Sequence, residues 1–154
     1  MANKAKGTTK RISNRRARFD YELGDSLVVG AQLTGAETKS LRMGHGHLRG
    51  AYVTTNSNNE LILTNATIAG SAGIHIDESE QTRPRKLLAK RKEIDALIEA
   101  RKQGRTIVPL EILTAGRYIK VRIAIGKGRK HYDKRQSLKA KDEQRQINRT
   151  LKHG

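Results

Sequence analysis

Residues 126–154 hold ten Lys or Arg, three acids, one aromatic (Tyr132) and only three large aliphatics, Leu138, Ile147 and Leu151. A stretch this charged cannot bury enough apolar surface to form a core, so the fold must be built from what precedes it. Residues 1–18 add seven Lys or Arg and no acid, whereas residues 19–125 carry fifteen basic and twelve acidic side chains. Most of the net charge of +17 therefore lies at the two ends of a 154-residue chain. That distribution describes a near-neutral globular body between two basic arms. Positive charge that folding does not need usually has an anionic partner, most often nucleic acid.

The body is long enough for one core, burying about 60–68% of its unfolded surface. With no cysteine, a disulfide is impossible, which fits a reducing compartment. No apolar run approaches the roughly 18 residues of a membrane span. The basic N-terminus superficially resembles an organelle transit peptide but lacks apolar residues at helical spacing. The boundaries expected are a flexible basic arm over residues 1–13, a body over 14–125 and a basic tail over 126–154, disordered when free and helical on its partner.

Within the body, residues 26–33 read as a strand with a bend at Gly30. Residues 36–43 read as a short helix closed by Gly44. Residues 51–55 and 60–64 form a hairpin across Asn56-Ser57-Asn58-Asn59, and 65–69 extend it or add a strand. Residues 70–81 have no period and read as a loop. Pro84 at a helix start, then an apolar stripe through Leu87, Leu88, Ile94, Leu97 and Ile98, predict the longest helix over 85–103, stopped by Gly104. Residues 106–114 form a strand with Val108, Leu110 and Ile112 on one face, and Pro109 marks an edge or a bulge. Residues 117–125 are the cleanest strand, with Ile119, Val121, Ile123 and Ile125 inward and Lys120 and Arg122 outward. Five or six short strands with two to three helices give a mainly β fold, an OB-like closed β-barrel, a type that often binds oligonucleotides.

Catalytic patterns are missing: no cysteine nucleophile, no Gly-x-Ser-x-Gly and no His-Glu-x-x-His. The chain is therefore expected not to be an enzyme and to need no cofactor. Gly126-Lys127-Gly128 lacks phosphate-loop spacing and reads as a hinge. His45 and His47 have no third metal ligand nearby, and Asp77, Glu78 and Glu80 are solvated loop acids. The basic clusters carry more. Arg15, Arg16 and Arg18 lead into Phe19 and Tyr21, pairing phosphate-binding charge with rings that either stack on bases or plug the barrel end. Arg83, Arg85, Lys86, Lys90, Arg91 and Lys92 crowd the start of the long helix with only Glu93 and Asp95 to offset them. Glu37 either pairs with Lys39 or Arg42 or accepts hydrogen bonds from base edges.

The segments Asn14-Arg15-Arg16-Ala17-Arg18-Phe19-Asp20-Tyr21 and Leu33-Thr34-Gly35-Ala36-Glu37-Thr38-Lys39-Ser40-Leu41-Arg42-Met43-Gly44 resemble the opening blocks of the SmpB family, the bacterial SsrA-binding proteins. Arg83-Pro84-Arg85-Lys86-Leu87-Leu88, Gly104 with Thr106 and Val108-Pro109-Leu110, and Lys120-Val121 with Gly126 to Lys130 and Tyr132-Asp133-Lys134-Arg135 continue the resemblance in family order. It implies a body that binds the tRNA-like domain of tmRNA, and a tail that probes the empty mRNA channel of a stalled ribosome during trans-translation. The implied partners are tmRNA, the ribosome and elongation factor Tu, for a cytoplasmic monomer. Asn14 and Glu37 match residues implicated in tmRNA binding. The RNA-binding set expected is Asn14, Arg15, Arg16, Arg18, Phe19, Tyr21, Glu37, Lys39, Arg42, Arg85 and Lys86. Lys127, Gly128, Arg129, Lys130, Tyr132, Asp133, Lys134 and Arg135 match the tail segment that works at the decoding centre. Phe19 departs from the family's usual His, Thr38 from its Val, and the stretch 68–81 lacks its Pro-Tyr. Two other readings are a constitutive basic ribosomal protein and an RNA-cleaving barrel.

Overall fold

The computed structural model describes residues 10–129, 139 and 141–146. In chain order the elements are β1 (Arg11–Ser13), α1 (Ala17–Asp20), β2 (Tyr21–Ala31), α2 (Gly35–Arg42), β3 (Gly46–His47), β4 (Tyr52–Thr55), β5 (Leu61–Thr64), β6 (Thr67–Ile68), a 3-10 turn (Glu78–Glu80), β7 (Arg85–Leu88), α3 (Arg91–Lys102), β8 (Thr106–Leu113) and β9 (Lys120–Gly128). The fold is mainly β with a few helices, as the sequence predicts.

Six strands close on themselves in the order β8-β4-β5-β7-β2-β9, and β9 returns to β8. Closure is uneven. The β2–β9 and β8–β9 ladders are long, but β4 meets β8 through a single pair, Val53 opposite Ile107, and β2 meets β7 through two. The result is a ring of six strands rather than a strict barrel. Its interior is filled by Val29, Val53, Leu61, Leu63, Leu87, Ile107, Ile112, Val121 and Ile123, all at most 3% exposed. β1 extends the far end of β8, and β3 and β6 form a separate small sheet.

Three sequence expectations change. The helix predicted over 85–103 is a strand followed by a shorter helix. In β7, Arg85 and Leu87 point inward while Lys86 and Leu88 are exposed. Pairing with β5 (Leu61 opposite Leu87) and β2 (Ala31 opposite Leu87) closes the ring there. That tertiary pairing outweighs the local helical stripe, and the helix starts at Arg91, where Glu93 Oε1 accepts from the Lys90 N–H at 3.0 Å. Second, residues 11–13 belong to the folded body, because β1 pairs with β8 from Arg11–Leu113 to Ser13–Glu111. Third, the β8 face is not Val108, Leu110 and Ile112. Ile107 and Ile112 both lie in the core although they are an odd number of residues apart. A regular strand cannot do this; a bulge between Pro109 and Glu111 shifts the register against β9. Pro109 thus marks a bulge, as predicted, in a strand bonded on both sides. Val108 is buried on the opposite face.

The connection after α2 is equally constrained. Gly44 and Gly50 have φ of +83° and +72°, and a Cβ on Gly46 would lie 2.8 Å from Leu41 Cδ2 and 2.9 Å from the Thr67 carbonyl oxygen. Gly46→Ala is therefore expected to destabilise the fold by about 1–3 kcal/mol, read as a lower midpoint in urea. Gly35→Ala, at a helical position where a Cβ meets nothing within 4 Å, should be neutral or slightly stabilising; equal midpoints for the two variants would refute the packing argument.

Candidate nucleic-acid interface

Basic side chains gather where the first loop crosses β8. Asn14 fixes that loop: its side-chain Nδ2 donates to the Pro109 carbonyl at 2.8 Å and its backbone N–H to the Leu110 carbonyl at 2.7 Å. These two carbonyls lie at the β8 bulge, where the interrupted ladder leaves them needing donor partners. Ala17, 3% exposed, then anchors α1 beneath the loop. Arg16 lies 4.6 Å above the Phe19 ring and 3.6 Å from Asp20. This cation–π stack presents a guanidinium plane at the surface, and such planes stack on bases. Arg15 and Arg18 are exposed, and neither side chain has a hydrogen-bond or ion-pair partner among the described residues.

A cavity of about 510 Å³ opens beside this loop, lined among others by Asn14, Arg16, Tyr21, Tyr52, Arg101 and Arg105. It combines two phenol rings with three guanidiniums. The sequence pattern alone does not single out Tyr52, Arg101 or Arg105 as lining one cleft. The alternation of the hairpin carried a signal for Tyr52, since an inward Val53 forces its neighbour outward. For Arg101 and Arg105, on either side of the α3 stop, only the folded chain shows that they reach β4 and the first loop.

Glu37 occupies a different environment. It is 2% exposed and sits at the third position of α2. Its Oε1 accepts the Thr34 N–H at 2.9 Å, while its own N–H donates to Thr34 Oγ1 at 3.2 Å, a reciprocal capping box. The same carboxylate accepts Arg83 Nη2 at 2.5 Å, Arg83 Nε at 3.1 Å and Arg85 Nε at 2.7 Å. Neither Lys39 nor Arg42 pairs with it; the buried carboxylate is taken up by Thr34, Arg83 and Arg85. Arg85, 1% exposed, spends its other nitrogens on the carbonyls of Ala66, Glu80 and Gln81. The buried Arg85 is therefore no surface contact either. The crowded cations of 83–92 divide between this clamp, β7 and α3.

Burial raises the Glu37 pKa, but hydrogen bonds from Arg83, Thr34 and Arg85 outweigh it and hold the carboxyl below its ordinary 4.5. Burial likewise pulls the Arg85 guanidinium below its usual value, opposed by Glu37, and the group stays charged.

The remaining expected residues are spread over the surface. Arg42 donates to the Thr114 and Arg117 carbonyls at 3.0 and 2.9 Å, tying α2 to the β8–β9 turn. Lys39 is exposed. Lys86 pairs with Glu60 on the outer face of β7. Lys127 and Gly128 are not a hinge: they continue β9 opposite Glu22 and Tyr21. The Arg129 N–H donates to the Asp20 carbonyl at 3.0 Å. Lys130, Tyr132, Asp133, Lys134 and Arg135 lie outside the described residues; further along, residues 139 and 141–146 are helical and exposed. Among the described residues no three His, Asp or Glu side chains could share a metal ion, and no helix is long and apolar enough to cross a membrane.

A closed ring of short strands with a cationic, aromatic-lined cleft at its first loop has the features of a small oligonucleotide-binding protein. Comparison with known proteins is specific. The SmpB protein family model matches residues 11–153. The SsrA-binding protein of Oenococcus oeni is 41% identical over 154 residues, covering 99% of both chains, and that of Exiguobacterium sibiricum is 41% identical over 150 residues, covering 96% of both. A chain in the solved structure "tmRNA-SmpB: a journey to the center of the bacterial ribosome" superposes with a TM-score of 0.67 at 32% identity, covering 84% of this chain and 95% of that one. The chain belongs to the SmpB protein family.

The clamp makes a testable demand. A carboxyl with a depressed folded pKa stabilises fully above its ordinary value and loses that contribution as pH falls through the folded value. Glu37→Gln leaves two arginines without their counter-charge, which for a buried pair costs about 3–5 kcal/mol. Urea unfolding should show the variant far less stable at pH 7, with the gap closing from about pH 5 downward. Parallel stability curves from pH 7 to pH 2 would show that the clamp does not carry this stability.

Proposed function

We propose that this protein is the RNA-binding factor of trans-translation: it binds the tRNA-like domain of tmRNA and accompanies it to stalled ribosomes. The observation that carries this reading is full-length similarity to SsrA-binding proteins, together with the likeness to the chain from the tmRNA-SmpB ribosome structure. In the body, Arg15, Arg16 and Arg18 meet RNA phosphates, and the Arg16–Phe19 stack and Tyr21 meet unpaired bases at the mouth of the cleft. Lys39, Arg42 and Lys86 add charge at the periphery. Glu37 and Arg85 serve binding indirectly, by fixing α2 and the chain around Ala66 and Gln81. The protein acts by binding rather than by catalysis, as a cytoplasmic monomer that joins elongation factor Tu in delivery.

The tail, from Lys130 through Tyr132, Asp133, Lys134 and Arg135 onward, enters the vacant mRNA channel and works at the decoding centre. A constitutive ribosomal protein would also be small and basic, but neither the relatives nor the structural neighbour favours that reading.

Where the tail is cut should matter. Removing residues 130–154 leaves the β9 ladder whole, so binding to the tRNA-like RNA should persist while tagging in a reconstituted translation system is lost. Removing 126–154 also takes away the partners of Tyr21, Glu22 and Leu23, so binding itself should weaken. Tagging that survives the shorter deletion would refute the division of roles between body and tail.

A further inference from the structure

A second cleft lies on the other side of the first loop. β1, residues 13–16 and the segment 44–49 enclose about 680 Å³, lined among others by Arg11, Arg15, Arg16, His47 and Arg49 and by no carboxylate. Arg11 and Arg16 reach acids only at 3.5 and 3.6 Å, and both side chains are about two-thirds exposed. Arg15 and Arg49 have no side-chain hydrogen bond or ion pair among the described residues. The Nδ1 of His47 is buried and has no hydrogen-bond partner among the described residues. Four guanidiniums around one space repel each other, and no carboxylate lines it to offset them. Such an enclosure is completed by an anion.

The cleft is built rather than incidental. Leu48, 1% exposed, anchors the segment in the core between His47 and Arg49. β3 pairs with β6 through Gly46–Ile68 and His47–Thr67. The His45 N–H donates to the Ser40 carbonyl at 2.9 Å, and Asn65 Nδ2 donates to the Gly50 carbonyl at 3.2 Å. With Gly44 and Gly50 at positive φ on either side, the backbone that bears Arg49 is held in place.

We propose that this cleft is a phosphate cradle for the backbone of the bound RNA, centred on Arg49 and Arg11. Asn14 and Arg16 line both this cleft and the tyrosine-lined one. A strand that places a base beside Tyr21 and Tyr52 therefore continues with its phosphates across Arg16 toward Arg49. Four cations over this volume suit a phosphodiester run better than one small anion. The inference rests on the RNA-binding reading above and adds Arg49, Arg11 and His47 to the interface.

The test uses the full chain and transcribed tRNA-like domain of tmRNA, with affinity measured over a range of potassium chloride concentrations. Arg49→Ala and Arg11→Ala should each weaken binding and lower the log–log salt slope by about 0.7–0.9, the loss of one phosphate contact. Arg49→Lys should retain the slope. Arg49 is exposed on a turn, and circular dichroism verifies that the variants fold. Slopes and affinities equal to the unsubstituted protein's would overturn the cradle. So would an Arg49 side-chain resonance that shifts with millimolar inorganic phosphate while Arg49→Ala leaves the RNA slope unchanged, since the cleft would then be a small-anion site. If the unsubstituted protein fails to prefer this RNA over an unrelated hairpin, the RNA-binding reading itself fails, which is a separate outcome.

Discussion

One carboxylate holds together parts of the chain that nothing else joins as firmly. Glu37 caps α2 through Thr34 and receives both Arg83 and Arg85. Arg85 then reaches Ala66, Glu80 and Gln81. Through two side chains, α2, β7, the turn between β5 and β6 and the irregular 70–81 segment become one body. A buried ion pair is poor evidence of net stability, because desolvation consumes much of its attraction. What it supplies here is geometry. Every nitrogen of the buried guanidinium has an acceptor, so alternative packings of these segments would strand a charge. The segment 70–81 has little regular structure; this network holds it at Glu80 and Gln81, alongside the packing of Ile74 and Ile76 against the core.

The proposed RNA surface depends on that framework without sharing its atoms. α2 ends at Gly44, and the following segment carries His45, His47 and Arg49 against β1 and β6. Arg42 bonds the same helix end to the β8–β9 turn. On the other side, Asn14 uses the carbonyls of the β8 bulge to seat the first loop. Both positively charged clefts are thus edges of the core: one hangs from a strand irregularity, the other from a capped helix. Their cations sit at the surface, where water solvates them, whereas the one buried arginine, Arg85, has an acceptor for every guanidinium nitrogen.

Much of this was legible in the residues. The hairpin around Asn56–Asn59 and the capped helix before Gly44 carry turn signals and are found, and the strand expected over 117–125 is found shifted along the chain, as Lys120–Gly128. Arg85–Leu88 looks helical in sequence because Leu87 and Leu88 fit a stripe with Ile94 and Leu97. Pairing with β5 and β2 makes the segment a strand, and the inward Arg85 that results is received by Glu37, 48 positions away in the chain. The β8 face is hidden for a related reason: Pro109 announces a bulge but not which residue is displaced. At the site, the Arg15–Tyr21 cluster stood out by composition, whereas Tyr52, Arg101, Arg105 and Arg49 are isolated in the sequence and meet the cluster only through the ring topology. Glu37 stood out as an acid among bases, yet its partners lie far along the chain, and sequence neighbours pointed to the wrong ones.

The surplus charge at the C-terminal end is attached to the body in a way its composition does not suggest. Gly126-Lys127-Gly128 has the residues of a hinge, but a glycine in a strand can also mark close approach. A Cβ on Gly126 would meet Val108 Cγ2 at 3.1 Å and Tyr21 Cβ at 3.2 Å. The strand runs on to Gly128 opposite Tyr21, and Arg129 bonds the Asp20 carbonyl. Asp20 is also the acid beside Arg16, whose guanidinium covers Phe19. The tail therefore departs from the backbone of the very turn that carries the proposed RNA contacts. Displacing the 14–20 loop would move the Asp20 acceptor, and with it the point where the basic tail begins. Body and tail divide the charge of this protein between them, and as far as Arg129 the chain leaves the body along a hydrogen-bonded strand edge.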